Sequence, residues 1–235
     1  MADSFAAAMD ALDRAQDRPE GFCEVFIDVF PVSGAAVSTV GEVLGSETLA
    51  ASDERAARLD ELQFDLGEGP CWDAMRSGTA VLQPDIRETG RYLWPAFAAS
   101  IKPEEVSSVF AFPLSVGPLR FGSIDLYSRA PVSLDDTQAQ QAGMMADAVS
   151  RHVLRRALIA IGIEPDNGGN AYSRRLVHQA SGMVLAQIDV SAEDAQLVIQ
   201  GHAFAGERSM MVVAEDIIDG RLRFIRTGTR IEVDQ

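Results

Sequence analysis

The sequence predicts an α+β domain built on an antiparallel sheet, followed by a small all-α unit of three helices. Three observations carry this. Helical and strand patterns mix irregularly from the N-terminus to about residue 160 and close on one long helical run, the order of helices flanking an antiparallel sheet. Residues 161–170 (Ile-Gly-Ile-Glu-Pro-Asp-Asn-Gly-Gly-Asn) are dense in breakers and read as a linker. Beyond it, three short segments with helical apolar spacing follow one another, separated by capping serines.

Taken in order, residues 4–16 place Phe5, Met9 and Leu12 at helical spacing, and Arg18-Pro19-Glu20-Gly21 ends that helix. Val25 to Phe30 is dense in branched and aromatic residues and fits either a strand or a buried helical turn. Ala35–Val40 and Ser46–Ala51 read as a hairpin turning at Gly41-Glu42-Val43. Ser52-Asp53 caps a helix that starts at Glu54. Gly67-Glu68-Gly69-Pro70 breaks the chain, and a helix opens at Cys71, just after Pro70, where a missing N–H costs nothing. A strand at Thr79–Gln83, a helix at Tyr92–Ser100 and strands at Ser107–Val116 and Arg120–Tyr127, turning at Gly117-Pro118, lead to the helix of residues 135–161. Ala139, Ala142, Met145, Ala146, Val149, Val153, Leu154 and Leu158 mark its apolar side.

The chain of 235 residues is long enough for a medium domain and a small one. No apolar run reaches the roughly 18 residues of a bilayer span, and Asp3 stands where a signal peptide carries base, so a cytoplasmic location with no membrane partner is expected. Cys23 and Cys71 are too few for a disulfide framework, and neither they nor His152, His178 and His202 have metal-site spacing; no metal and no cofactor are predicted. The formal charge is −15, which opposes nucleic-acid binding at first sight. Its distribution matters more. Residues 151–235 hold ten arginines against eleven acids, a net of −1, so almost all of the acidity lies in residues 1–150.

Leu66-Gly67-Glu68-Gly69-Pro70-Cys71, Phe112-Pro113-Leu114 followed by Gly122, and Asp125-Leu126-Tyr127 together make residues 10–155 resemble the GAF domain. The resemblance implies a GAF-like antiparallel sheet with flanking helices, and a small-molecule sensor of unknown ligand. Phe64, Trp72, Trp94, Phe97, Phe110 and Phe112 are candidates to line a pocket, although the same residues would fill any core. Some GAF-like proteins reduce methionine sulfoxide with several cysteines. Cys71 at a helix start suits a thiolate, but with only Cys23 as a possible partner a structural thiol is expected. No GxSxG, HExxH or phosphate loop is present, and no enzyme is predicted.

In the tail, a first helix from about Ala171 to Ala186 would bury Leu176, Val177, Ala180, Met183 and Val184. Ala180 and Gly182 are small enough to admit a neighbouring helix backbone, with glycine costing about 1 kcal/mol of helix propensity. Ser191 caps a second helix burying Ala195, Val198, Ile199 and Ala203, and Ser209 a third burying Val212, Val213, Ile217 and Ile218. Gln179-Ala180-Ser181-Gly182-Met183, Ala192-Glu193-Asp194-Ala195 and Val213-Ala214-Glu215-Asp216-Ile217-Ile218 give residues 172–224 a resemblance to the ANTAR family. That implies an all-α three-helix bundle with a structural core at Ala180, Gly182, Ala195 and Ala203. It also implies binding to paired RNA stem-loops that promotes transcription antitermination. Arg174, Arg175, His178, Gln179, Ser181 and Arg208 become the RNA-binding candidates, with Arg174, Arg175, His178 and Ser181 expected on the exposed side of the first helix. Two positions depart from the family's pattern. Residue 181 is often Lys and residue 200 commonly Arg, where this chain has Ser181 and Gln200, and both changes remove positive charge.

The expected organisation is a GAF-like sensor domain at 1–160, a linker at 161–170, an ANTAR domain at 171–226 and a tail at 227–235. The partners are RNA, a possible small-molecule ligand and a second copy. The alanine-rich side of the 135–161 helix (Ala139, Ala142, Ala146, Val149) is the expected homodimer seam. A GAF-dimerised DNA-binding regulator is the competing reading, since three short helices also suit a helix-turn-helix.

Overall fold

The computed structural model describes residues 2–15, 18–41, 44–101, 105–161, 175–227 and 230–234. The linker expected at 161–170 falls outside them, except for Ile161. The chain divides into two compact units, Met1–Tyr172 and Ser173–Gln235.

The first unit runs α1 (Ala2–Arg14), α2 (Glu20–Val29), β1 (Gly34–Thr39), β2 (Glu47–Ala51), α3 (Glu54–Leu66), α4 (Pro70–Ser77), β3 (Val81–Gln83), α5 (Ile86–Leu93), α6 (Pro95–Ser100), β4 (Ser108–Val116), β5 (Leu119–Ser128) and α7 (Asp136–Ile161). The five strands form one antiparallel sheet in the order β2-β1-β5-β4-β3. Because successive strand residues point to opposite faces, the sheet sorts its side chains into two cores. On one face Ala35, Val37, Phe110, Phe112, Leu114, Ile124 and Leu126 pack with α1, α2 and α7. On the other, Ala36, Val109 and Tyr127 pack with Leu59 and Leu62 of α3, Ile86 of α5, and Trp94 and Phe97.

Local chemistry sets the boundaries. The Asp53 carboxylate caps α3 by accepting from Ala56 N–H at 2.8 Å, and Gly67 ends that helix in the left-handed region at φ 64°. Pro70 opens α4. The Arg120 guanidinium donates to the carbonyls of Met75 and Arg76 at the other end of α4, a cation placed at the negative pole of the helix.

One open alternative is resolved here and two expectations are corrected. Val25–Val29 is helical: α2 covers Glu20–Val29 and buries Phe22, Cys23 and Phe26, so its apolar density reflects a helix pressed onto the sheet. The helix expected at Tyr92–Ser100 is two helices, because Pro95 cannot continue α5 and starts α6 instead. The alanine side of α7 is already used. Ala142, Met145, Ala146 and Val149 are fully buried in the first unit's own core, and Ser150 Oγ accepts from Ser115 N–H of β4 at 2.9 Å. A homodimer cannot form through that face.

The second unit contains α8 (Arg175–Ile188), α9 (Ala192–Ala205) and α10 (Met210–Ile218), then β6 (Arg223–Thr227) paired antiparallel with β7 (Arg230–Asp234). Ser191 and Ser209 cap α9 and α10, accepting from Asp194 N–H at 3.0 Å and Val212 N–H at 3.3 Å. Val177, Ala180, Val184, Ala195, Ile199, Ala203, Met210, Val213, Ala214 and Ile217 form the seam. Val212, expected inside, is exposed; Met210 and Ala214 take the place on the wheel. The unit is therefore three helices plus a hairpin. Leu222 and Phe224 of the hairpin are buried, and Phe224 N–H donates to Gln187 Oε1 of α8 at 2.9 Å. Among the described residues no helix is long and apolar enough to cross a membrane.

Candidate functional site

The exposed side of α8 carries His178, Gln179, Gly182, Leu185 and Ala186. His178, Gly182 and Leu185 follow the i, i+4, i+7 spacing of one stripe, with Gln179 beside it. Gly182 lies in the middle. A Cβ built there would meet no atom within 4 Å, so the glycine serves no packing inside the unit, contrary to the core role expected of it. Its effect is to leave bare helix backbone facing outward. Ala180, Ala195 and Ala203 are buried in the helix seam as expected.

Ser181 is a second correction. It is buried, and its Oγ donates to Val177 O one turn back at 2.8 Å. Position 181 follows buried Ala180 and sits one turn from buried Val177, so it falls on the inner shoulder of the helix rather than on its exposed side. Arg174 lies outside the described residues, as does the Arg175 side chain. Arg208 is exposed and forms an ion pair with Asp216, whose other oxygen accepts from Arg221 Nε at 2.6 Å. The two guanidinium groups hold the Asp216 carboxyl below the usual carboxylate range.

The hairpin, whose second strand falls in the tail expected at 227–235, brings cations that were not among the RNA-binding candidates. Arg223 and Arg226 of β6 are exposed, and Arg226 Nη1 donates to Asp189 O just past the C-terminal end of α8. The signal was there: Arg221-Leu222-Arg223-Phe224 alternates with strand period 2, and Thr227-Gly228-Thr229 supplies turn residues.

In the first unit, the register across β2, β1 and β5 aligns Thr48, Ser38 and Ser123, with Asp125 two residues further on the same face. Helix α3 lays Asp60 and Gln63 over this row. Thr48 Oγ1 donates to Asp60 Oδ2, and Gln63 Nε2 donates to Asp125 Oδ2 at 2.5 Å. Gln63 Oε1 accepts from Cys71 N–H at 2.8 Å, and Gln63 O accepts from Trp72 Nε1 at 2.6 Å. One glutamine thus ties α3, α4 and the sheet together. Gly69 stands at φ 137°, and a Cβ there would lie 2.6 Å from the Gln63 side chain, so the Gly-Glu-Gly-Pro-Cys run is shaped around that glutamine. Glu68 Oε1 adds an acceptor for Phe97 N–H at 2.7 Å. Ser123 Oγ is fully buried and has no hydrogen-bond partner among the described residues.

The six aromatic residues expected to line one pocket do not gather. Phe110 and Phe112 lie on the α7 face of the sheet, Trp94 and Phe97 on the other. A separate open groove of about 280 Å³ runs between α5 and α6, lined by Ile86, Arg87, Arg91, Pro95, Ala98, Ala99 and Ile101. The two cysteines are likewise divided. Cys71 is beside Gln63, whereas Cys23 is in the α2 core, where burial and then Glu20 push its thiol up to about 12. They do not form a dithiol pair.

The sequence matches no family model and no curated protein. Solved structures do match. The GAF domain of an Acinetobacter phosphoenolpyruvate-protein phosphotransferase superposes with a TM-score of 0.52 at 11% identity, covering 72% of this chain and 96% of that one. The GAF domain of a phosphoenolpyruvate-protein phosphotransferase from Coxiella burnetii gives 0.51 at 11% identity, covering 67% and 97%. The first unit therefore has the GAF domain fold.

Proposed function

We propose that this chain is a signal-responsive transcription antitermination regulator. Its second unit binds paired-hairpin RNA, and its GAF-fold first unit senses a small molecule. The observation that carries the RNA reading is the bare Gly182 backbone between His178 and Leu185 on the outer side of α8. A mid-helix glycine that packs against nothing costs stability of about 1 kcal/mol, and it leaves a flat patch against which a base can lie. His178 offers a ring for stacking, Gln179 an amide able to bond a base edge, and Arg223 and Arg226 charge for the backbone. The resemblance of residues 172–224 to ANTAR modules supplies the RNA class.

The sensing reading rests on the GAF fold and on Ser123 Oγ, whose empty hydrogen-bonding capacity lies on the sheet face beneath α3. A polar ligand seated there would reach it.

Full-length protein titrated with a two-stem-loop RNA tests the first part. Replacing His178 and Gln179 together by Ala should weaken binding by about 1–3 kcal/mol, roughly five- to hundredfold, if a base stacks there. An unchanged affinity would move the RNA site elsewhere.

A further inference from the structure

With the alanine side of α7 buried, the self-association expected of this chain has lost its seam, and helix α9 offers another. Its inner face buries Ala195, Ile199 and Ala203. Its outer face is apolar as well: Leu197 is 61% exposed and Phe204 64%. Isolated exposed apolar residues are ordinary, but these two stand seven residues apart, two turns along one stripe. Between them lie Gln200 and Gly201, and a Cβ added at Gly201 would meet nothing within 4 Å. The stripe is thus two large apolar side chains on either side of a low saddle.

That outline is complementary to itself when reversed. If two α9 helices cross antiparallel about a dyad between residues 200 and 201, Leu197 of one faces Phe204 of the other, twice. The two Gly201 backbones meet near the axis, where the missing side chains let the helices approach. The charges agree with the same direction. Glu193 and Asp194 are exposed in the first turn of α9, and Arg208 is exposed just past its end. Antiparallel crossing sets Glu193 of one copy beside Arg208 of the other at both ends, where Arg208 also holds Asp216 and Glu207 stands opposite Asp194, and it opposes the helix dipoles favourably. Parallel crossing would set like charges together.

We propose that the Leu197–Gly201–Phe204 stripe of α9 pairs antiparallel with the same stripe of a second copy of this chain. One 14-residue helix on another buries less than a standard interface of about 1,200–2,000 Å². The pair is therefore weak and concentration-dependent by itself. It does not depend on the RNA reading.

The test is cysteine crosslinking of the full chain. Gly201→Cys places a thiol beside the axis, and Gly182→Cys places one at an equally open site off the stripe. The native Cys23 and Cys71 are buried and do not compete. Under a mild oxidant, Gly201→Cys should form covalent dimer at least about tenfold faster than Gly182→Cys, because the pair holds the thiols at high effective concentration. Adding Phe204→Asp should abolish that advantage, and should remove the dimer expected of the native chain in sedimentation velocity at high protein concentration. Equal crosslinking of the two cysteine variants would overturn the proposal, and so would a Gly201→Cys dimer indifferent to Phe204→Asp. The second result would mean that another surface joins the copies, or that another partner covers the stripe.

Discussion

The two units of this chain hold themselves together by different means. Among the described residues, fourteen of the fifteen buried polar side chains belong to the first unit, and only Ser181 to the second. The largest fully buried side chains among the described residues, Trp94, Tyr127 and the six phenylalanines from Phe22 to Phe121, are also all in the first. The second relies on small residues, with Ala180, Ala195, Ala203 and Ala214 letting three helices close on one another. Yet among the described residues it exposes as many large hydrophobic residues as the first in about a third of the length, including Leu197, Phe204 and Ile225. A polar network in a large core specifies one arrangement at a high cost of error. A thin alanine seam is permissive, and leaves apolar surface outside for partners. The difference fits a division between a rigid frame and a contact module.

The sharpest way to break the contrast is to charge the first unit's core. Ala146→Glu would put a carboxylate where Ala146 is 1% exposed against the sheet, at a cost of several kcal/mol. We expect loss of folded protein in expression and circular dichroism, whereas a folded monomer would restore α7 as the dimer seam. Next in size is the Gln63 network. Gln63→Leu removes bonds to Asp125 and to Cys71 N–H, and should cost about 2–6 kcal/mol in urea denaturation, at about 1–3 kcal/mol per buried group. Tryptophan fluorescence follows this unit alone, because both tryptophans, Trp72 and Trp94, belong to it.

The second unit should respond more weakly. Ser191→Ala or Ser209→Ala removes a cap worth about 1 kcal/mol, and should speed amide exchange in α9 or α10 while the tryptophan signal stays unchanged. A coincident shift in tryptophan fluorescence would show that the units unfold together.

The smallest effect is electrostatic. Arg208, and then Arg221, hold the Asp216 carboxyl of the folded chain below the usual carboxylate range. A depressed carboxylate stabilises the fold above its unfolded pKa of about 3.9 and loses that contribution as pH falls through the folded value. Protection of the α10 amides, taken relative to their intrinsic exchange rates, should therefore fall below about pH 4 in the native chain. Asp216→Asn should flatten that dependence; an identical acid profile would mean that the cluster holds nothing in place.

The same contrast explains what could be read from the sequence. Capping residues act locally, so Asp53, Ser191 and Ser209 were legible, as were Pro70 and the hairpin pairing of β1 with β2. Val25–Phe30 was ambiguous because residues buried by the sheet look alike as strand or helix. The Gln63 network was invisible, since its partners Asp125 and Cys71 are 62 and 8 residues away and no pattern announces a buried glutamine. On α8, His178 lies on the exposed side as expected, while Ser181 and Gly182 exchanged sides: the polar residue turned inward by bonding Val177 O, and the small one turned out. Arg223 and Arg226 were not singled out because the resemblance describes three helices and does not announce a following hairpin.

The central claim, that the second unit is made for RNA, is tested most directly by a gel shift of the full chain at fixed salt. One lane series carries an RNA with two paired stem-loops, and the other a duplex DNA of matching sequence. The account predicts a shift of the RNA at protein concentrations that leave the duplex free, with the preference lost in the His178→Ala, Gln179→Ala variant. Equal or tighter binding of the duplex would contradict it.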